Sequence, residues 1–345
     1  MMHPCLMPKI PKIIKSLVIH LTIIKWNEYL QLSREKLEQR KYPFSWEPGW
    51  SFSRMNTLRS CLRLYWYEYY AKRFAPEREK NQIMELQQLS RIPFELGTAV
   101  HQTIAEVLKE LQLHDEVIPL EAAKKMAVNK FEILISNKPL VENRLGVPFT
   151  DEDREKVHGQ IKTSITTFYG SRWLAMLRDS HPDSRRDWLI DPPGYGEIRI
   201  AGKKAYAKPD LIFGYRDGRH YLVEWKSGKP HRDENLVQVQ AYMFYAMDIM
   251  GLDMESTVGV VQYLTYPSEK PIEVEGRLVN PTELRNKVLS EIKLIESLCE
   301  DVASNTPKPI GHFAKTTEPG YCGLCKYREI CRPDFVPGSS ANAEL

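Results

Sequence analysis

The chain has 345 residues and contains no G-x-x-x-x-G-K-[ST] segment. That segment forms the loop that cradles nucleotide phosphates in P-loop ATPases, so its absence argues against a P-loop motor in this chain. Internal repeats and low-complexity runs are also lacking, which argues against a solenoid or a repeat array.

Long apolar runs are scarce. The one stretch that suggests a membrane, "IPKIIKSLVIHLTIIKW" at positions 10–26, is interrupted by Lys12, Lys15, His20 and Lys25. It is too short and too charged to span a bilayer, and no small-residue cleavage site follows it. We expect an amphipathic helix there, and a soluble, cytoplasmic protein that does not bind membranes.

An excess of charge of one sign is missing too. The chain has 48 Lys and Arg against 45 Asp and Glu, a formal net charge of +3. A balance this even is compatible with a nucleic-acid partner but does not argue for one. The hydrophobic share of 42% is enough for one large domain or two small ones.

Cysteines are few and unevenly placed. Three lie within ten residues in "CGLCKYREIC", as Cys322, Cys325 and Cys331, and Cys61 is the candidate for a fourth ligand. A reduced cytosolic protein would not use them as a disulfide framework, whereas four thiolates suit zinc or an iron–sulfur cluster. The spacing does not separate the two, and the alternative is a buried Cys61 with a tail that binds nothing. We expect Cys299 to be a core residue and do not count Cys5.

Helical periodicity dominates the first half of the chain. Ser51 or Ser53 could cap a helix that carries Met55, Leu58, Leu62 and Tyr65 on one face, and residues 94–113 repeat this pattern. In "CLRLYWYEYYAKRF" we expect the aromatic residues to pack into the core, with Arg63, Lys72 and Arg73 as candidate phosphate contacts. Residues 115–188 are charged and mostly helical in pattern, with breaks near Pro139, Pro148 and Pro182.

Strand patterns cluster after residue 195. "GEIRIAG", "KAYAKPDLIFGY" and "RHYLVEWKS" each read as a strand, and "RDG" between the last two predicts a hairpin. "ENLVQVQAYMFYAMDIMG" predicts a helix that ends at Gly251, "STVGVVQYLTY" a further strand, and residues 281–304 a long final helix. The order indicates a mixed α/β core.

A carboxylate and a lysine stand two residues apart within an apolar strand. Because strand side chains alternate, Glu224 and Lys226 share one face while Val223 and Trp225 point to the other. Asp210 belongs to the neighbouring strand of the predicted hairpin. Two carboxylates brought together raise each other's pKa unless a cation lies between them, and Mg²⁺ or Mn²⁺ would satisfy both. The alternative is an exposed charge pair on an edge strand.

Two helical pairs accompany this group. "GTAVH" places Gly97 and His101 one turn apart, and "QVQAY" does the same for Gln238 and Tyr242. Each pair alone is compatible with an ordinary core or surface position.

Taken in order, "GTAVH", "KPD", "EWK" and "QVQAY" resemble the PD-(D/E)XK nucleases of the RecB-like branch. That branch includes AddAB-type nuclease domains and the CRISPR-associated iron–sulfur exonucleases. The resemblance covers residues 50–335 apart from about 110–190, and it implies a restriction-endonuclease-like α/β fold: a mixed sheet flanked by helices, with an added helical region.

The resemblance also implies roles for individual residues. His101, Asp210, Glu224 and the backbone carbonyl of Trp225 would bind the metal. Lys226 would be the catalytic lysine, and Gln238 and Tyr242 would hold the site and the DNA backbone. Glu197 could add a carboxylate, although a surface role fits it equally well.

For the cysteines, the resemblance favours a 4Fe-4S cluster with zinc as the alternative. Cys61, Cys322, Cys325 and Cys331 would then join the N-terminal and C-terminal parts as an iron–sulfur staple. One departure is Leu62, since the family often has proline directly after the first cysteine. The expected organisation has three parts: an extension over 1–48, a nuclease domain over 49–335 and a flexible tail over 336–345. Within the nuclease domain we expect a helical insertion at about 110–190 and a cluster-binding tail at 320–335.

The expected function is that of a Mg²⁺- or Mn²⁺-dependent exonuclease that processes single-stranded or duplex DNA ends. It would work beside a separate helicase or integrase. The candidate pathways are CRISPR adaptation, DNA repair and the metabolism of a mobile element. The alternatives are a DNA-end binding or scaffolding subunit without cleavage activity, and a zinc-stabilised α/β protein with an unrelated role.

Overall fold

A computed structural model describes residues 42–192 and 194–335. The expected amphipathic segment at 10–26, Cys5, nearly all of the predicted extension and the tail over 336–345 lie outside these residues. No helix within the described ranges is both long and apolar enough to cross a membrane.

The strands of the described residues follow in chain order: β1 (Trp50–Ser51), β2 (Leu189–Ile190), β3 (Glu197–Ile200), β4 (Lys203–Tyr206), β5 (Leu211–Gly214), β6 (His220–Lys226), β7 (Thr257–Tyr263), β8 (Ile272–Glu275), β9 (Cys299–Asp301) and β10 (Thr306–Pro307). The α-helices are α1 (Phe52–Ser60), α2 (Leu62–Tyr69), α3 (Ala71–Phe74), α4 (Glu77–Gln87), α5 (Ile92–His114), α6 (Leu120–Asn137), α7 (Val141–Arg144), α8 (Asp151–Tyr169), α9 (Arg172–Asp179), α10 (Arg232–Met250), α11 (Pro281–Glu296), α12 (Pro319–Gly323) and α13 (Arg328–Cys331). Short 3-10 segments cover Pro182–Asp187, Met254–Ser256, Gly276–Leu278 and Ile310–His312.

The main sheet has five strands in the order β2-β5-β6-β7-β8. Strands β6 and β7 run parallel, and the other neighbours are antiparallel. The β5–β6 hairpin turns at "RDG", where Gly218 has a φ of +78°, so the predicted hairpin is confirmed. Its central strand β6 is buried from Tyr221 to Trp225, where Glu224 is its one charged residue, because both faces of the sheet are covered.

The predicted strand "KAYAKPDLIFGY" is in fact two strands in two sheets. Residues 207–210 separate β4 from β5, and Pro209 among them lacks the N–H that a continuous ladder would need. Strand β4 instead pairs with β3 across a turn at Ala201 and Gly202, both with positive φ, and with β1. The three-stranded sheet β1-β4-β3 results.

Two apolar cores lie on the two sides of β6. Leu222 belongs to the core that contains α1, α2, α10 and α11, whereas Val223 and Trp225 belong to the core that contains α5, α6, α8 and α9. The predicted stripe on α5 faces the second core, where these residues are buried: Val100, Ile104, Val107, Leu108 and Leu111. The alternation of β6 thus divides its side chains between the two cores.

The segment 115–188 is helical with interruptions, as its pattern predicts. Helices α6, α7, α8 and α9 follow one another, with breaks at Pro139, Pro148 and Pro182. A capping box starts α8, where Thr150 and Asp153 exchange backbone and side-chain hydrogen bonds.

Two predicted helices differ from the observed ones. The helix expected to carry Met55, Leu58, Leu62 and Tyr65 on one face begins after Ser51, which caps it, but is broken at Cys61, whose backbone is extended (φ −168°, ψ 121°). The helix expected over 281–304 ends at Glu296, and Cys299 lies in the short strand β9 rather than on a helix. Cys299 is buried, as expected for a core residue.

Candidate metal-dependent active site

The two carboxylates of the site come from one end of the β5–β6 hairpin. Glu224 projects from β6 beside Lys226, and their side chains form an ion pair of 2.8 Å. Asp210 directly precedes β5 and is fixed by its backbone, which donates to the Val223 carbonyl, and by its Oδ2, which accepts the Trp225 N–H at 2.8 Å. Both carboxylates line the same cleft as Lys226.

An imidazole reaches this cleft from α5. His101 Nδ1 lies 3.2 Å from Asp210 Oδ1, so the helix and the sheet meet at these two side chains. Gly97, one turn earlier, allows the close approach, because a Cβ there would lie 3.1 Å from Ser227 Oγ, just past the end of β6. The sequence pattern "GTAVH" therefore combines a contact glycine and a site histidine on one helical face.

Helix α10 supplies the hydrogen-bond donors that hold Glu224. Gln238 Nε2 donates to Glu224 Oε1 at 3.0 Å, and the Tyr242 hydroxyl donates to Glu224 Oε2 at 2.7 Å. Gln238 also contacts the Tyr242 hydroxyl at 2.7 Å. All three side chains are buried. With Lys226, three donors fix both oxygens of one buried carboxylate.

The charges of Asp210 and His101 support each other. Burial alone would lower the pKa of His101, but the charge and hydrogen bond of Asp210 raise it to about 9. Burial would likewise raise the pKa of Asp210, but the His101 cation, together with the hydrogen bond from Trp225, lowers it. In the metal-free protein the pair is therefore an imidazolium and a carboxylate at neutral pH.

The pKa of Glu224 is shifted in the opposite direction to that of Asp210. Burial and the charge of Asp210 raise its pKa, and the Lys226 cation offsets only part of this. For Lys226, burial alone would lower the pKa, but the negative charge of Glu224 raises it. Burial and the charge of Glu224 also keep the pKa of Tyr242 well above its usual value, so its hydroxyl remains a donor. A divalent cation would relieve the remaining electrostatic repulsion between the carboxylates of Asp210 and Glu224.

The backbone carbonyl of Trp225 faces the same side. In a strand the N–H and C=O of one residue point to the same edge, and successive residues alternate between edges. The Lys226 carbonyl accepts the Leu264 N–H at the β7 edge, whereas the Trp225 N–H points to Asp210. The Trp225 carbonyl is thus directed toward the Asp210 edge.

The chemistry of this donor set fits a hard divalent ion. Two carboxylates, one imidazole and one backbone carbonyl are oxygen and nitrogen ligands that suit Mg²⁺ or Mn²⁺. Within the described ranges, no three His, Cys, Asp or Glu side chains are placed so as to hold a metal ion together. At this site each carboxylate is paired with a cation, Asp210 with His101 and Glu224 with Lys226.

One candidate carboxylate lies elsewhere. Glu197 is on β3, in the three-stranded sheet, where it pairs with Arg199 at 2.7 Å and does not line the cleft. The surface interpretation of Glu197 is the one that the structure favours.

The sequence interpretation missed three residues of the cleft. Lys208 lies two positions before Asp210 and pairs with Asp191 at 2.8 Å. Phe94 and Tyr195 are exposed aromatic side chains on the cleft wall. Two features of the sequence could have indicated Lys208 and Tyr195: the lysine in "AKPD" and the aromatic residue between two glycines in "GYG".

The four cysteines named from the sequence line one cavity, although within the described residues no three of them are placed so as to hold a metal ion together. Cys61, at the break between α1 and α2, lines one cavity with Cys322, Cys325 and Cys331. Burial, with the neighbouring thiols, raises the pKa of Cys325 to about 11. An uncompensated thiolate at Cys325 is therefore unfavourable.

The aromatic and basic segment around α2 is mostly structural. Tyr65, Trp66, Tyr67 and Tyr70 are buried in the first core. Of the candidate phosphate contacts, Arg63 donates to the carbonyls of Phe313 and Ile310, and Arg73 donates to the Ser304 carbonyl. Arg63 thus holds the chain after β10, Arg73 holds the turn between β9 and β10, and Lys72 is exposed.

Comparison with protein-family models gives a match over most of the chain. The sequence model of the PD-(D/E)XK nuclease superfamily matches residues 49–332. No curated protein matches the chain. Among solved structures, the crystal structure of SSO0001 is similar with 14% identity, covering 59% of this chain and 93% of that chain, at a TM-score of 0.27. A TM-score this low carries no argument about the fold.

Proposed function

Because the chain belongs to the PD-(D/E)XK nuclease superfamily, we propose that it is a metal-dependent DNA exonuclease that hydrolyses phosphodiester bonds at DNA ends. The superfamily implies a phosphodiester hydrolase acting on DNA. The restriction to ends, and the RecB-like iron–sulfur branch, are the finer parts of the proposal and rest on the motif order "GTAVH", "KPD", "EWK" and "QVQAY".

One observation carries the proposal: a single cleft is lined by His101, Asp210, Glu224 and Lys226. These side chains come from a helix, the residue preceding one strand and a second strand. No local structural requirement brings them together, and buried acidic side chains of this kind are costly without a function or a partner.

His101, Asp210, Glu224 and the Trp225 carbonyl are the groups that would hold the ion. A bound divalent ion polarises the phosphate and lowers the pKa of a water molecule, which provides a nucleophile at neutral pH. Binding requires His101 to release its proton, since only the neutral imidazole is a ligand. Asp210 would then face the ion in place of an imidazolium, because His101 would be neutral when it serves as a ligand.

Lys226 acts as a cation in this proposal. Its raised pKa keeps the ammonium protonated at neutral pH, so it stabilises the negative charge that develops on the phosphate rather than removing a proton. Gln238 and Tyr242 are positioning residues that orient Glu224 through its two oxygens.

The test is a cleavage assay with Mn²⁺ on end-labelled single-stranded and duplex DNA and on circular single-stranded DNA. We expect wild type to degrade linear DNA from its ends and to spare circles. Lys226→Ala and Asp210→Ala should lose at least about 100-fold in rate, as expected for removal of a group that stabilises transition-state charge. Glu197→Gln, a carboxylate outside the cleft, serves as the matched control and should retain activity.

Two results would contradict the proposal. If wild type cleaves circular DNA as fast as linear DNA, the enzyme is an endonuclease and not an exonuclease. Metal-independent DNA binding without cleavage by wild type would favour the DNA-end binding or scaffolding role instead.

We further propose that Cys61, Cys322, Cys325 and Cys331 hold an iron–sulfur cluster, most simply of the 4Fe-4S type, with a structural role. Their shared cavity supports this, because thiols that line one cavity can reach a common group, and the resemblance of the motif order favours a cluster over zinc. A brown protein that contains iron is the expected result of anaerobic purification. A colourless protein with one zinc per chain would instead establish the zinc alternative.

Since the chain contains no P-loop, the enzyme would depend on a separate helicase or integrase for duplex opening or for delivery of ends. We also propose a cytoplasmic location, where thiols stay reduced and available for a cluster. Participation in CRISPR adaptation or DNA repair belongs to the same proposal.

A further inference from the structure

Two aromatic side chains at the mouth of the cleft are exposed far beyond what packing requires. Tyr195 is 86% exposed and Phe94 is 64% exposed, and both line the cleft whose floor contains Asp210, Glu224 and Lys226. Single exposed apolar residues are ordinary on protein surfaces. These two differ because Phe94 lies on the helix that carries His101, and Tyr195 lies on a loop that is hydrogen-bonded to the segment ending at Asp210.

Phe94 lies on the same face of α5 as His101. Seven residues are two helical turns, so the ring precedes the imidazole by about 10 Å along the helix axis. Gly97 and Thr98 lie in the turn between them and line the same cleft. A path therefore leads along α5 from the metal site to an exposed aromatic ring.

The loop that carries Tyr195 is fastened to the segment that ends at Asp210. The Ala207 N–H donates to the Gly196 carbonyl at 3.0 Å, and the Asp191 N–H donates to the Asp210 carbonyl at 2.8 Å. Gly196 has a φ of +65°, and a Cβ there would lie 2.3 Å from the Ala207 carbonyl oxygen. Only glycine permits this approach, so the loop is held against the metal-binding segment while its tyrosine remains in solvent.

Cations accompany both rings. The Arg91 guanidinium carbon lies 5.8 Å from the centre of the Phe94 ring, and Lys208 lines the cleft with Tyr195. Exposed aromatic rings flanked by cations are the combination that binds single-stranded nucleic acid, because unpaired bases stack on the rings while phosphates contact the cations. Bases within a duplex are already stacked on each other and cannot use the rings.

We propose that Phe94 and Tyr195 are specificity-determining residues that stack on unpaired bases, so that the site takes single-stranded DNA in preference to duplex. This inference rests on the proposed nuclease function for its biological meaning. The binding that it describes is measurable without any cleavage.

The experiment uses the full chain with Lys226→Ala, so that DNA stays intact, and measures fluorescence anisotropy with a labelled oligothymidylate and with a blunt duplex. We expect Phe94→Ala and Tyr195→Ala each to weaken single-strand binding by roughly 5- to 100-fold and to change duplex binding much less. Phe94→Tyr and Tyr195→Phe keep the rings and should bind like their parent. Circular dichroism melting checks that the exposed substitutions leave the fold intact.

An oligonucleotide with abasic positions supplies the second measurement. It keeps the phosphates but removes the bases, so it should bind the parent more weakly, and the alanine substitutions should then cause little additional loss. Equal loss on single-strand and duplex DNA, or no loss on either, would overturn the proposal.

The nuclease assay keeps the two proposals apart. Were the wild-type chain to cleave no DNA while the ring-dependent binding persisted, the nuclease function would fail and the stacking assignment would stand. If wild type and both alanine variants cleave DNA with the same preference for single strands, the nuclease function stands. The stacking role of Phe94 and Tyr195 is then refuted.

Discussion

At the residue scale, Glu224 combines burial with three donors. Lys226, Gln238 and Tyr242 approach its two oxygens at 2.7 to 3.0 Å, while the nearby charge of Asp210 and burial raise its pKa. A divalent ion would therefore be attracted by the carboxylate pair and would find Glu224 already oriented.

Replacing Glu224 tests this directly. Glu224→Gln removes one negative charge and places an amide nitrogen against groups that donate, so Mn²⁺ affinity should fall by roughly 10- to 100-fold. Isothermal titration of Mn²⁺ into the metal-free protein measures the change. Glu197→Gln removes the same charge outside the cleft and should leave the affinity unchanged. A similar loss in both variants would mean that only the overall charge matters.

The His101–Asp210 pair predicts a pH dependence of the metal-free protein. The pKa of His101 rises from its ordinary 6.5 to about 9 in the folded state. Its stabilisation is therefore complete below about pH 6.5 and is lost as pH rises through about 9. For a side chain about one-third exposed we expect on the order of 1 kcal/mol.

Thermal unfolding with a chelator, from pH 6 to pH 10, provides the measurement. The stability difference between wild type and His101→Gln should shrink toward the alkaline end. Because the pKa of Asp210 is lowered, its own contribution should be lost only at acidic pH, as pH falls below the unfolded value. A difference that grows toward pH 10 would contradict the assignment of the pair.

Much of this site was predictable from the local sequence. The period-two alternation of "LVEWK" puts Glu224 and Lys226 on one face, and their 2.8 Å ion pair confirms the shared direction. What alternation could not show is that Gln238 and Tyr242 both donate to Glu224, because that depends on how α10 packs on the sheet. The exposure of Phe94 was also invisible, since an aromatic residue before an apolar stripe ordinarily packs with it.

At the element scale, the break at Cys61 explains how the chain accommodates Leu62. Cys61 is extended, the conformation that a residue before proline prefers, and Leu62 is the first residue of α2. The first helical position has no intrahelical partner for its N–H and tolerates proline. The departure from the family pattern at this position therefore carries no structural penalty.

Proline substitution at this point has an expected outcome. Leu62→Pro should change the free energy of unfolding by less than about 1 kcal/mol, as measured by urea denaturation. Arg63→Pro is the matched control, and it should cost about 3 kcal/mol or more because the Arg63 N–H donates to the Ala314 carbonyl. Arg63→Ala separates the backbone effect from the loss of the side-chain contacts. Equal costs at 62 and 63 would place the helix start elsewhere.

The loop between β2 and β3 provides a second prediction at this scale. Gly196→Ala should destabilise the protein by roughly 1 to 3 kcal/mol, since its Cβ would overlap the Ala207 carbonyl oxygen. Gly194→Ala also has a positive φ (+81°) but meets no atom within 4 Å, so its cost should be about 1 kcal/mol. Chemical denaturation distinguishes the two. A smaller cost at 196 than at 194 would refute the close approach.

The predicted elements that proved wrong share a cause. The helix expected over 281–304 ends at Glu296, and the helix expected to carry Met55 and Tyr65 on one face divides at Cys61. In both places apolar spacing continues past the end of the helix, because the next residues also pack into the core, now from another element. Periodicity records burial and not the backbone conformation that achieves it.

At the scale of the whole molecule, the C-terminal tail is joined to α2 near the beginning of the described chain. The Tyr67 and Tyr327 rings stack at 4.7 Å, and Lys326 pairs with Glu68 at 2.8 Å. These contacts surround the cavity that Cys61 shares with the tail cysteines. The proposed cluster would thus reinforce an existing junction.

Removal of one cluster ligand should therefore loosen the tail before the core. We expect Cys61→Ser to lose iron and to become sensitive to limited proteolysis within residues 315–335, while the β5–β6 region stays protected. Cys299→Ser changes a thiol outside the cavity and should keep its iron. Mass spectrometry of the fragments identifies the cut sites. Iron retained in Cys61→Ser would exclude this residue as a ligand.

The sequence alone determined which face of β6 carries charge, where the hairpin turns and which stripe of α5 is buried, because these follow from periods of two and 3.6 residues along a continuous segment. Tertiary structure decided which distant segments meet: His101 with Asp210 across 109 residues, and Cys61 with the tail. Local periodicity gives each element a face but not a partner. Which elements meet is decided by tertiary packing. The apolar faces are buried in the two cores, and the polar side chains of the site remain at the cleft between them.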